Sequence, residues 1–397
     1  MNALRVLCLD HEGGHGGASR SLFHALAHMD RAAVAPEVWC RRGGEIERLY
    51  SGIGVPCRVE PGLPARSSQP RTFDNIVEYG RFFRAWSASA PAREALRNAA
   101  SDFDTVHVNH ESLWWLARWL RPRFSGALTM HVRTRPAPTP FARWQARTMR
   151  QAADALVFIT ENEREHFARL AGSAPGRVIY NVAELEGAAA APHPAVPADG
   201  RLRVASLSNY AWVRGVDRLV DVAAELAARG RRDVLFVMAG GMTLRGQLPG
   251  RLGELAAQGG SLADWAAERG VADMFLFLGH VPDPESVLAA CDVLAKLSRE
   301  DAPWGRDVIE AMAQGRAVLA TGSWEGYVAN GATGILQSAF DPGDAASTLI
   351  AFAADRTRTR AMGEAGRARI RELCDGRARA ADLAAAWREA AVRRRAA

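Results

Sequence analysis

The segment EDAPWGRDVIEAMAQG (300–315) joins a turn to the start of a helix and carries charge in both parts. Pro303 and Gly305 bracket the turn, and helical spacing begins at about Arg306. The first turn of a helix offers free backbone N–H groups and the positive end of the helix dipole, which predicts an anion site. Arg306 could add two parallel hydrogen bonds to a phosphate. Glu310, one turn further, is either a solvated helix residue or an acceptor of hydrogen bonds from sugar hydroxyls.

Arg214 stands at the carboxyl end of another predicted strand. It follows the apolar run LRVASLS (202–208) and precedes a predicted helix over 216–230. Ligands of open parallel sheets bind beyond the carboxyl ends of the strands. A cation at this place can neutralise charge that grows on a departing diphosphate. An ordinary surface arginine is the alternative that the position leaves open.

Polar side chains also end two neighbouring predicted strands in the N-terminal half. His131 ends the run ALTMHV (127–132) and is followed by Arg133, while His110 and Glu111 follow the preceding strand. A histidine at a strand end could hydrogen-bond a reacting hydroxyl or a phosphate. His110, Glu111 and Arg133 are candidates for contacts with an acceptor substrate. Structural or solvated roles are the alternative for each of them.

Composition and missing motifs exclude several classes of protein. With 397 residues, 48% of them hydrophobic and 24% charged, the chain predicts a soluble protein of two or three domains. No apolar run reaches the ~18 residues of a membrane span. No P-loop motif occurs, and the single lysine is Lys296. The five cysteines lie far apart without a CxxC, and HExxH is missing, so we expect neither disulfides nor a metal site. The N-terminus predicts a strand rather than a signal peptide, so we expect a cytoplasmic protein.

The order of the elements predicts the α/β fold class. Short apolar runs alternate with helical patterns from residue 5 to 181, and the alternation restarts at 202 after a segment rich in Ala, Pro and Gly. This alternation produces parallel strands joined by right-handed crossovers. We expect two Rossmann-like domains facing across a cleft. The boundaries are an N-terminal domain (1–183), a linker (184–201), a C-terminal domain (202–375) and a final helix (376–397) packed back on the first domain.

Five segments together resemble glycosyltransferase family 4, whose members have the GT-B fold. They are the run Ser298–Gly315, NGATGIL (330–336), Gly16–Ser19 after the first strand, WVRGVD (212–217) and Tyr180–Asn181. They cover the whole chain in the family's order, and their combination is specific although no single segment is. Three positions depart from the family pattern. At Trp324–Glu325 the glutamate of the family's G-G-x-x-E loop is out of register, with a shorter spacing. Ala302 stands where a first glutamate belongs, with Glu300 and Asp301 as the nearest acids, and Ser208 stands where the family has a basic residue.

The resemblance implies transfer of a sugar from a nucleotide-diphosphate sugar to a hydroxyl acceptor. It implies a UDP or GDP sugar as the donor, retention of anomeric configuration, and neither a metal nor another cofactor. It assigns the catalytic roles to His131, Arg214 and Glu310, with the leaving phosphate itself accepting the proton of the acceptor. It places a saccharide, lipid-linked or small-molecule acceptor near His110, Glu111 and Arg133. The expected donor-binding residues are Gly16, Gly17, Ser208, Arg214, Gly240, Val281, Asp301, Pro303, Trp304, Gly305, Arg306 and Glu310.

Two other functions share these features. A nucleotide-sugar 2-epimerase of the same fold would use carboxylates and would release its product without an acceptor. A non-catalytic relative that binds a nucleotide sugar or serves as a scaffold would account for Ala302 and Ser208. The expected setting for the enzyme is the synthesis of cell-surface polysaccharides, glycolipids or glycosylated metabolites.

Residues 112–150 form a basic segment with aromatic side chains. They contain eight arginines, no Asp or Glu, and four tryptophans: Trp114, Trp115, Trp119 and Trp144. Such a segment suits the surface of an anionic membrane or a lipid-diphosphate acceptor, and its composition also suits nucleic acid. Tryptophans in the core and solvated arginines are the alternative. We expect peripheral contact with the inner face of the cell membrane, and no nucleic acid as a partner.

Overall fold

The computed structural model describes residues 3–10, 16–64, 76–183 and 190–396. The chain divides into two compact units, unit 1 with residues 1–182 and 376–397, and unit 2 with residues 183–375. Residues 184–189 of the predicted linker lie outside the described residues, and its remainder belongs to unit 2. The α/β class predicted from the sequence is confirmed in both units.

Strands and helices alternate along the described chain. The strands are β1 (Leu4–Asp10), β2 (Val34–Cys40), β3 (Cys57–Val59), β4 (Thr105–Val108), β5 (Ala127–Val132), β6 (Ala155–Phe158), β7 (Gly176–Val178), β8 (Leu202–Leu207), β9 (Val234–Ala239), β10 (Phe275–Gly279), β11 (Val293–Lys296), β12 (Ala317–Thr321) and β13 (Gly334–Gln337). The helices are α1 (Gly17–Ala27), α2 (Glu45–Gly52), α3 (Ile76–Ala88), α4 (Ala90–Ala100), α5 (Trp114–Leu120), α6 (Pro140–Ala152), α7 (Glu161–Ala171), α8 (Arg218–Ala228), α9 (Gly250–Ala257), α10 (Leu262–Glu268), α11 (Pro284–Ala290), α12 (Arg306–Ala313), α13 (Pro342–Ala354), α14 (Arg356–Leu373) and α15 (Gly376–Ala396).

Unit 1 is built on a parallel sheet with the strand order β3-β2-β1-β4-β5-β6-β7. All six residues of β5 are buried, as expected for a central parallel strand covered by helices on both faces. The three residues of β3 are at most partly buried, which fits an edge strand. The order turns back at β1, because β2 and β4 lie on its opposite sides. In such sheets ligands bind beyond the carboxyl ends near this reversal.

Unit 2 has a parallel sheet in the order β10-β9-β8-β11-β12-β13, which turns back at β8. Helix α8 buries Leu219, Val220 and Leu226 against the same core as Phe236 of β9. Its apolar residues recur at helical spacing, so one face covers the sheet and the other stays in water. The carboxyl ends of the strands carry the polar and glycine residues that the sequence singled out.

The last helix completes unit 1. Helix α15 packs on α1 and β5, and its Trp387 is fully buried in the core that includes Val157. The Trp387 ring lies 5.2 Å from the ring of His107, centroid to centroid. Among the described residues, no helix is both long enough and apolar enough to cross a membrane.

Replacing Trp387 with alanine removes the largest side chain that α15 contributes to unit 1. We expect Trp387→Ala to lower the free energy of unfolding by about 3–5 kcal/mol, because it leaves a cavity in a packed core. Urea unfolding followed by circular dichroism measures the change. Val392→Ala is the control, since Val392 lies on the same helix but is 65% exposed. Equal midpoints for the two variants would show that α15 is not part of this core.

Candidate functional site

Two histidines in unit 1 form a buried hydrogen-bonded pair. His131 Nδ1 lies 2.9 Å from His107 Nε2, and His107 Nδ1 lies 2.9 Å from Thr129 Oγ1. The three residues come from β4 and β5, which pair so that His107 is opposite Thr129. Burial lowers the pKa of His107 to about 3, and burial together with the charge of Arg133 lowers the pKa of His131 well below its usual value. Both rings are therefore neutral near pH 7.

The pair controls which nitrogen of His131 carries the proton. When His107 donates from Nε2, His131 accepts at Nδ1 and presents Nε2–H as a donor. When His131 donates from Nδ1, its Nε2 becomes an acceptor, and His107 donates to Thr129 instead. His131 lines a small cavity with Ser21 and Asn181. Either state can serve a hydroxyl group, which both donates and accepts hydrogen bonds.

Arg133 ties several strand ends together. Its Nε and Nη2 donate to the backbone and side-chain oxygens of Asn109 (2.8 and 2.7 Å), and its Nη1 donates to Asn181 Oδ1 (3.1 Å). Asn109 in turn donates from Nδ2 to the carbonyl of Ala18 at the start of α1 (3.0 Å). The guanidinium predicted to contact an acceptor is thus engaged with protein groups on all three nitrogens. Asn109 and Asn181 are site residues whose contacts the sequence patterns did not identify.

Glu111 and His110 also have partners within the protein. Glu111 is buried, accepts a hydrogen bond from the backbone N–H of Arg133 (3.0 Å), and accepts another from the hydroxyl of Thr134. Burial raises the pKa of Glu111, but the charge of His110 and these hydrogen bonds outweigh it and lower the pKa overall. When the ring of His110 is neutral, its Nδ1 accepts from the backbone N–H of Ser112 (3.0 Å). The two residues therefore shape the loops after β4 and β5.

The glycine turn after β1 leads into α1. Gly16 is the N-cap of this helix with an extended backbone (φ −84°, ψ 154°), and Gly17 begins the helix. The carbonyl of Gly17 accepts a hydrogen bond from the hydroxyl of Ser21 (2.7 Å). The preceding residues 11–15 lie outside the described part of the chain. The first-turn N–H groups of α1 therefore start at the carboxyl edge of the unit 1 sheet.

In unit 2, the side chain of Arg214 is exposed and makes a hydrogen bond to the protein. Its Nη1 donates to the hydroxyl of Ser208, 2.8 Å away, just past the end of β8. Ser208 stands where the family pattern has a basic residue, and here its hydroxyl orients the remaining cation. The next residue, Gly215, has a φ of +64°, and a Cβ there would overlap the carbonyl oxygen of Leu297. Only glycine lets this loop pack so closely against the segment after β11.

A second set of contacts joins the Arg214 loop to the segment after β11. The Arg299 guanidinium pairs with Asp217 (Nη1 to Oδ1, 2.8 Å) and stacks on Trp212, 3.2 Å from the ring centroid. The backbone N–H of Arg299 donates to the carbonyl of Val213 (2.9 Å). Arg218 donates to the carbonyl of Ser298 (2.7 Å). The sequence patterns did not identify these contacts, because the partners lie about eighty residues apart in the chain.

Helix α12 begins beside this segment. Gly305 is its N-cap with a φ of +147°, and a Cβ there would lie 2.5 Å from a carboxylate oxygen of Asp307. Asp307 pairs with Lys296 at 2.8 Å. Arg306 donates from Nε to Glu310 Oε1 (2.8 Å), and both side chains are largely buried. The sequence predicted a phosphate contact for Arg306 and a sugar contact for Glu310. In the structure these two side chains pair with each other, one helical turn apart.

The carboxylate of Asp301 fixes the turn before α12. Asp301 lies next to Ala302, where the chain departs from the family pattern. Asp301 accepts hydrogen bonds from the backbone N–H and the hydroxyl of Ser323, at 2.8 and 2.9 Å. A Cβ on Gly322 would overlap Pro303, so the two turns are in close contact. Trp304 is buried with its ring 5.3 Å from that of Trp324. Asp301 thus holds the turn through which the chain enters α12.

The remaining predicted donor residues follow β9 and β10. Gly240 has a φ of +138°, and a Cβ there would lie 2.5 Å from the carbonyl oxygen of Ser208. The Gly240 N–H donates to the carbonyl of Gly279 at 2.6 Å. Val281, two residues further, is partly exposed. The ends of β8, β9 and β10 therefore approach one another at one edge of the sheet. Within the described residues, no group of three or more His, Cys, Asp or Glu side chains could hold a metal ion.

Two parallel α/β units with polar residues and glycines at the carboxyl ends of their strands define a protein of the doubly wound class. Residues 193–369 match the model of Glycosyl transferases group 1, and residues 15–186 match that of Glycosyltransferase Family 4. The chain belongs to the glycosyltransferases of the GT-B fold, which confirms the resemblance seen in the sequence.

Proteins of this kind resemble the chain over most of its length. It is 29% identical over 377 residues to a D-inositol 3-phosphate glycosyltransferase of Nocardia farcinica, covering 88% of this chain and 80% of that protein. The structure of Anabaena HepE in complex with UDP-glucose has a TM-score of 0.75 at 20% identity, covering 97% of this chain and all of that one. Sucrose-phosphate synthase from Thermosynechococcus elongatus has a TM-score of 0.70 at 18% identity, covering 97% of this chain and 98% of that one.

The lowered pKa values of the histidine pair predict an acid-sensitive unit 1. Above about pH 6.5 both rings are neutral in the folded and the unfolded chain. As the pH falls from 6.5 towards 3, the unfolded chain binds protons that the folded pair refuses. We expect each buried histidine to remove about 1.4 kcal/mol of stability per pH unit across this window.

Urea unfolding of the wild type and of His107→Gln at pH 7, 6 and 5 measures this effect. The variant lacks one of the two rings, so its stability should fall less steeply with acidification than that of the wild type. Parallel pH dependence of the two proteins would contradict the assignment of neutral, buried rings.

Proposed function

We propose that the protein transfers a sugar from a nucleoside-diphosphate sugar to a hydroxyl acceptor, with unit 2 binding the donor. The observation that carries the proposal is the placement of Arg214. It is an exposed cation at the end of β8, oriented by Ser208 and supported by the close contact of Gly215. The complexes of Anabaena HepE with UDP and with UDP-glucose support a nucleotide-sugar donor.

Breaking the bond between the sugar and the diphosphate leaves the bonding electron pair on a phosphate oxygen, which adds one negative charge to the two that the diphosphate already carries. In our proposal Arg214 and the first-turn N–H groups of α12 neutralise this charge. Gly305 allows the turn into α12 at a φ of +147°, with the Asp307 carboxylate beside it paired to Lys296. Arg306 orients the carboxylate of Glu310, which receives the ribose hydroxyls of the nucleotide. Asp301 acts by holding the turn before α12 rather than by direct contact with the sugar.

Unit 1 supplies the acceptor side of the reaction. His131 is the group we assign to the reacting hydroxyl or to the transferred sugar, with His107 as the residue that positions it. We propose retention of anomeric configuration, in which a phosphate oxygen of the leaving group accepts the proton of the acceptor hydroxyl. This route uses protein cations in place of a metal. It requires no pair of carboxylates of the kind that glycoside hydrolases use.

We propose a UDP or GDP sugar as the donor. The acceptor is the hydroxyl of a saccharide, a lipid-linked sugar or a small molecule, in the synthesis of cell-surface polysaccharide, glycolipid or a glycosylated metabolite. We place the enzyme in the cytoplasm, since all five cysteines are free and such thiols persist in a reducing compartment.

A thermal-shift panel of UDP, GDP, ADP and CMP sugars tests the donor assignment. We expect a UDP or GDP sugar to raise the melting temperature of the wild type, because a bound ligand stabilises the folded state. Arg214→Ala should lose that shift and reduce turnover by about 10²–10³-fold, as loss of one charge-stabilising donor does elsewhere. Arg360→Ala is the matched control, since Arg360 is an exposed arginine on α14 of the same unit.

Product analysis by NMR with and without EDTA tests the rest of the proposal. The expected product keeps the anomeric configuration of the donor and forms equally well with EDTA. Full activity of Arg214→Ala, or release of an epimerised sugar without an acceptor, would overturn the proposed function.

A further inference from the structure

Helix α3 carries large apolar side chains on two faces. Its Phe82 is buried and contacts Trp115 with 6.2 Å between ring centroids. Ile76, Tyr79 and Phe83 recur at helical spacing on another face and are 86%, 46% and 36% exposed. A surface helix of a globular protein normally directs one apolar stripe to the core and a polar face to water. The second stripe of α3 therefore leaves large apolar side chains exposed to water.

A chain of ring contacts leads from α3 to α6. Phe83 lies 5.3 Å from Phe82, and Phe82 contacts Trp115. Trp115, which contacts Phe82, lies 5.6 Å from the ring of Trp144. Trp144 is 41% exposed, and the exposed Arg143 and Arg147 lie beside it on the same helix. An amphipathic ring flanked by cations is a typical anchor at a membrane–water interface.

Positive charge surrounds the exposed rings. Arg118 is exposed and stacks on Trp115 at 4.7 Å, and Arg84 is exposed on α3. The acid of α3, Glu78, is paired with Arg81 at 2.6 Å. No Asp or Glu occurs in residues 112–150. We call the following set the aromatic–arginine surface: Ile76, Tyr79, Phe83, Trp144, Arg84, Arg118, Arg143 and Arg147.

Within residues 112–150, for which the sequence predicts membrane contact, only some of the tryptophans are accessible. Trp114 is fully buried in the core of unit 1, and Trp115 and Trp119 are partly buried. Of these four tryptophans, Trp144 is the one whose side chain counts as exposed. The apolar part of the surface comes mainly from α3, which lies outside the predicted region.

We propose that the aromatic–arginine surface docks on the headgroup layer of an anionic lipid bilayer. The aromatic and aliphatic side chains enter the interface, and the arginines remain at the level of the lipid phosphates. Charge complementarity selects this occupant. The cores of protein–protein interfaces are depleted of charged residues, whereas here four arginines lie among the exposed apolar side chains. Docking places unit 1 against the membrane, and it does not depend on the transfer of a sugar.

Co-sedimentation of the full-length chain with lipid vesicles tests the proposal. We expect binding to vesicles of phosphatidylcholine with 30% phosphatidylglycerol, weak binding to phosphatidylcholine alone, and release from the anionic vesicles in high salt. Arg143→Gln/Arg147→Gln should lower the partition coefficient roughly thirtyfold, from about 1 kcal/mol per arginine at an anionic surface. Phe83→Ser/Trp144→Ser should lower it about tenfold or more.

Matched controls separate this surface from general effects of charge and hydrophobicity. Arg360→Gln/Arg367→Gln removes two arginines from α14 of unit 2, and Val392→Ser removes an exposed apolar side chain from α15. Neither should change vesicle binding. The arginine variants and the controls should keep the wild-type melting temperature, and every variant should keep the wild-type response to nucleotide sugars, so a failure of docking is distinct from a failure of the proposed function. Binding by Phe83→Ser/Trp144→Ser is compared below its own melting transition, since Trp144 packs 4.9 Å from the buried Trp114.

Several results would overturn the proposal. One is the absence of binding to anionic vesicles at low salt. Another is equal binding by the wild type and by both double variants of the surface. A concentration-dependent dimer that Phe83→Ser/Trp144→Ser dissociates, without vesicle binding, would assign the surface to a second copy of the chain instead.

Discussion

In the proposed reaction, charge that gathers on a leaving diphosphate must be met by positive groups that are already in position, and the packing around Arg214 in unit 2 suits this constraint. Arg214 is exposed, but its direction is set by Ser208 and by the close packing of Gly215 on the segment after β11. Arg299 ties that segment to Asp217 through an ion pair. Groups fixed in this way need no reorganisation when the charge develops, and this is the main source of electrostatic catalysis.

In the same proposal unit 1 has a different task, that of presenting a neutral histidine whose tautomer is coupled to that of a second ring. The β4–β5 register places His107 between Thr129 and His131, and α15 covers the pair with Trp387. Burial keeps the rings neutral, and a single proton shared between them decides whether His131 donates or accepts. The last helix of the chain is thus part of the environment of a residue in the middle of the sequence.

The central strands and the long helices could be predicted from the sequence, because their apolar patterns are long. The run ALTMHV coincides with the whole of β5. The sequence patterns did not predict β3, α2 or the helices α9 to α11. These elements are three to eight residues long, too short for a clear period.

The sequence predicted the candidate site residues that lie directly after strands. It did not predict the contacts between residues that are far apart in the chain. Arg214 and Glu310 stand in recognisable segments after strands. The pairing of Arg306 with Glu310, the ties from Arg133 to Asn109, and the role of Asp301 required coordinates. Asn109 carried a signal, since it is a polar residue at the end of a buried strand.

The account rests on capture of the diphosphate by Arg214, and the difference in affinity between a nucleoside diphosphate and the monophosphate of the same base measures it directly. Calorimetric titration of the wild type should show the diphosphate binding about tenfold more tightly or better, as expected for one charge-assisted contact of ~1.5–3 kcal/mol. In Arg214→Ala that preference should disappear while the monophosphate binds as before. An unchanged preference in the variant would contradict the account.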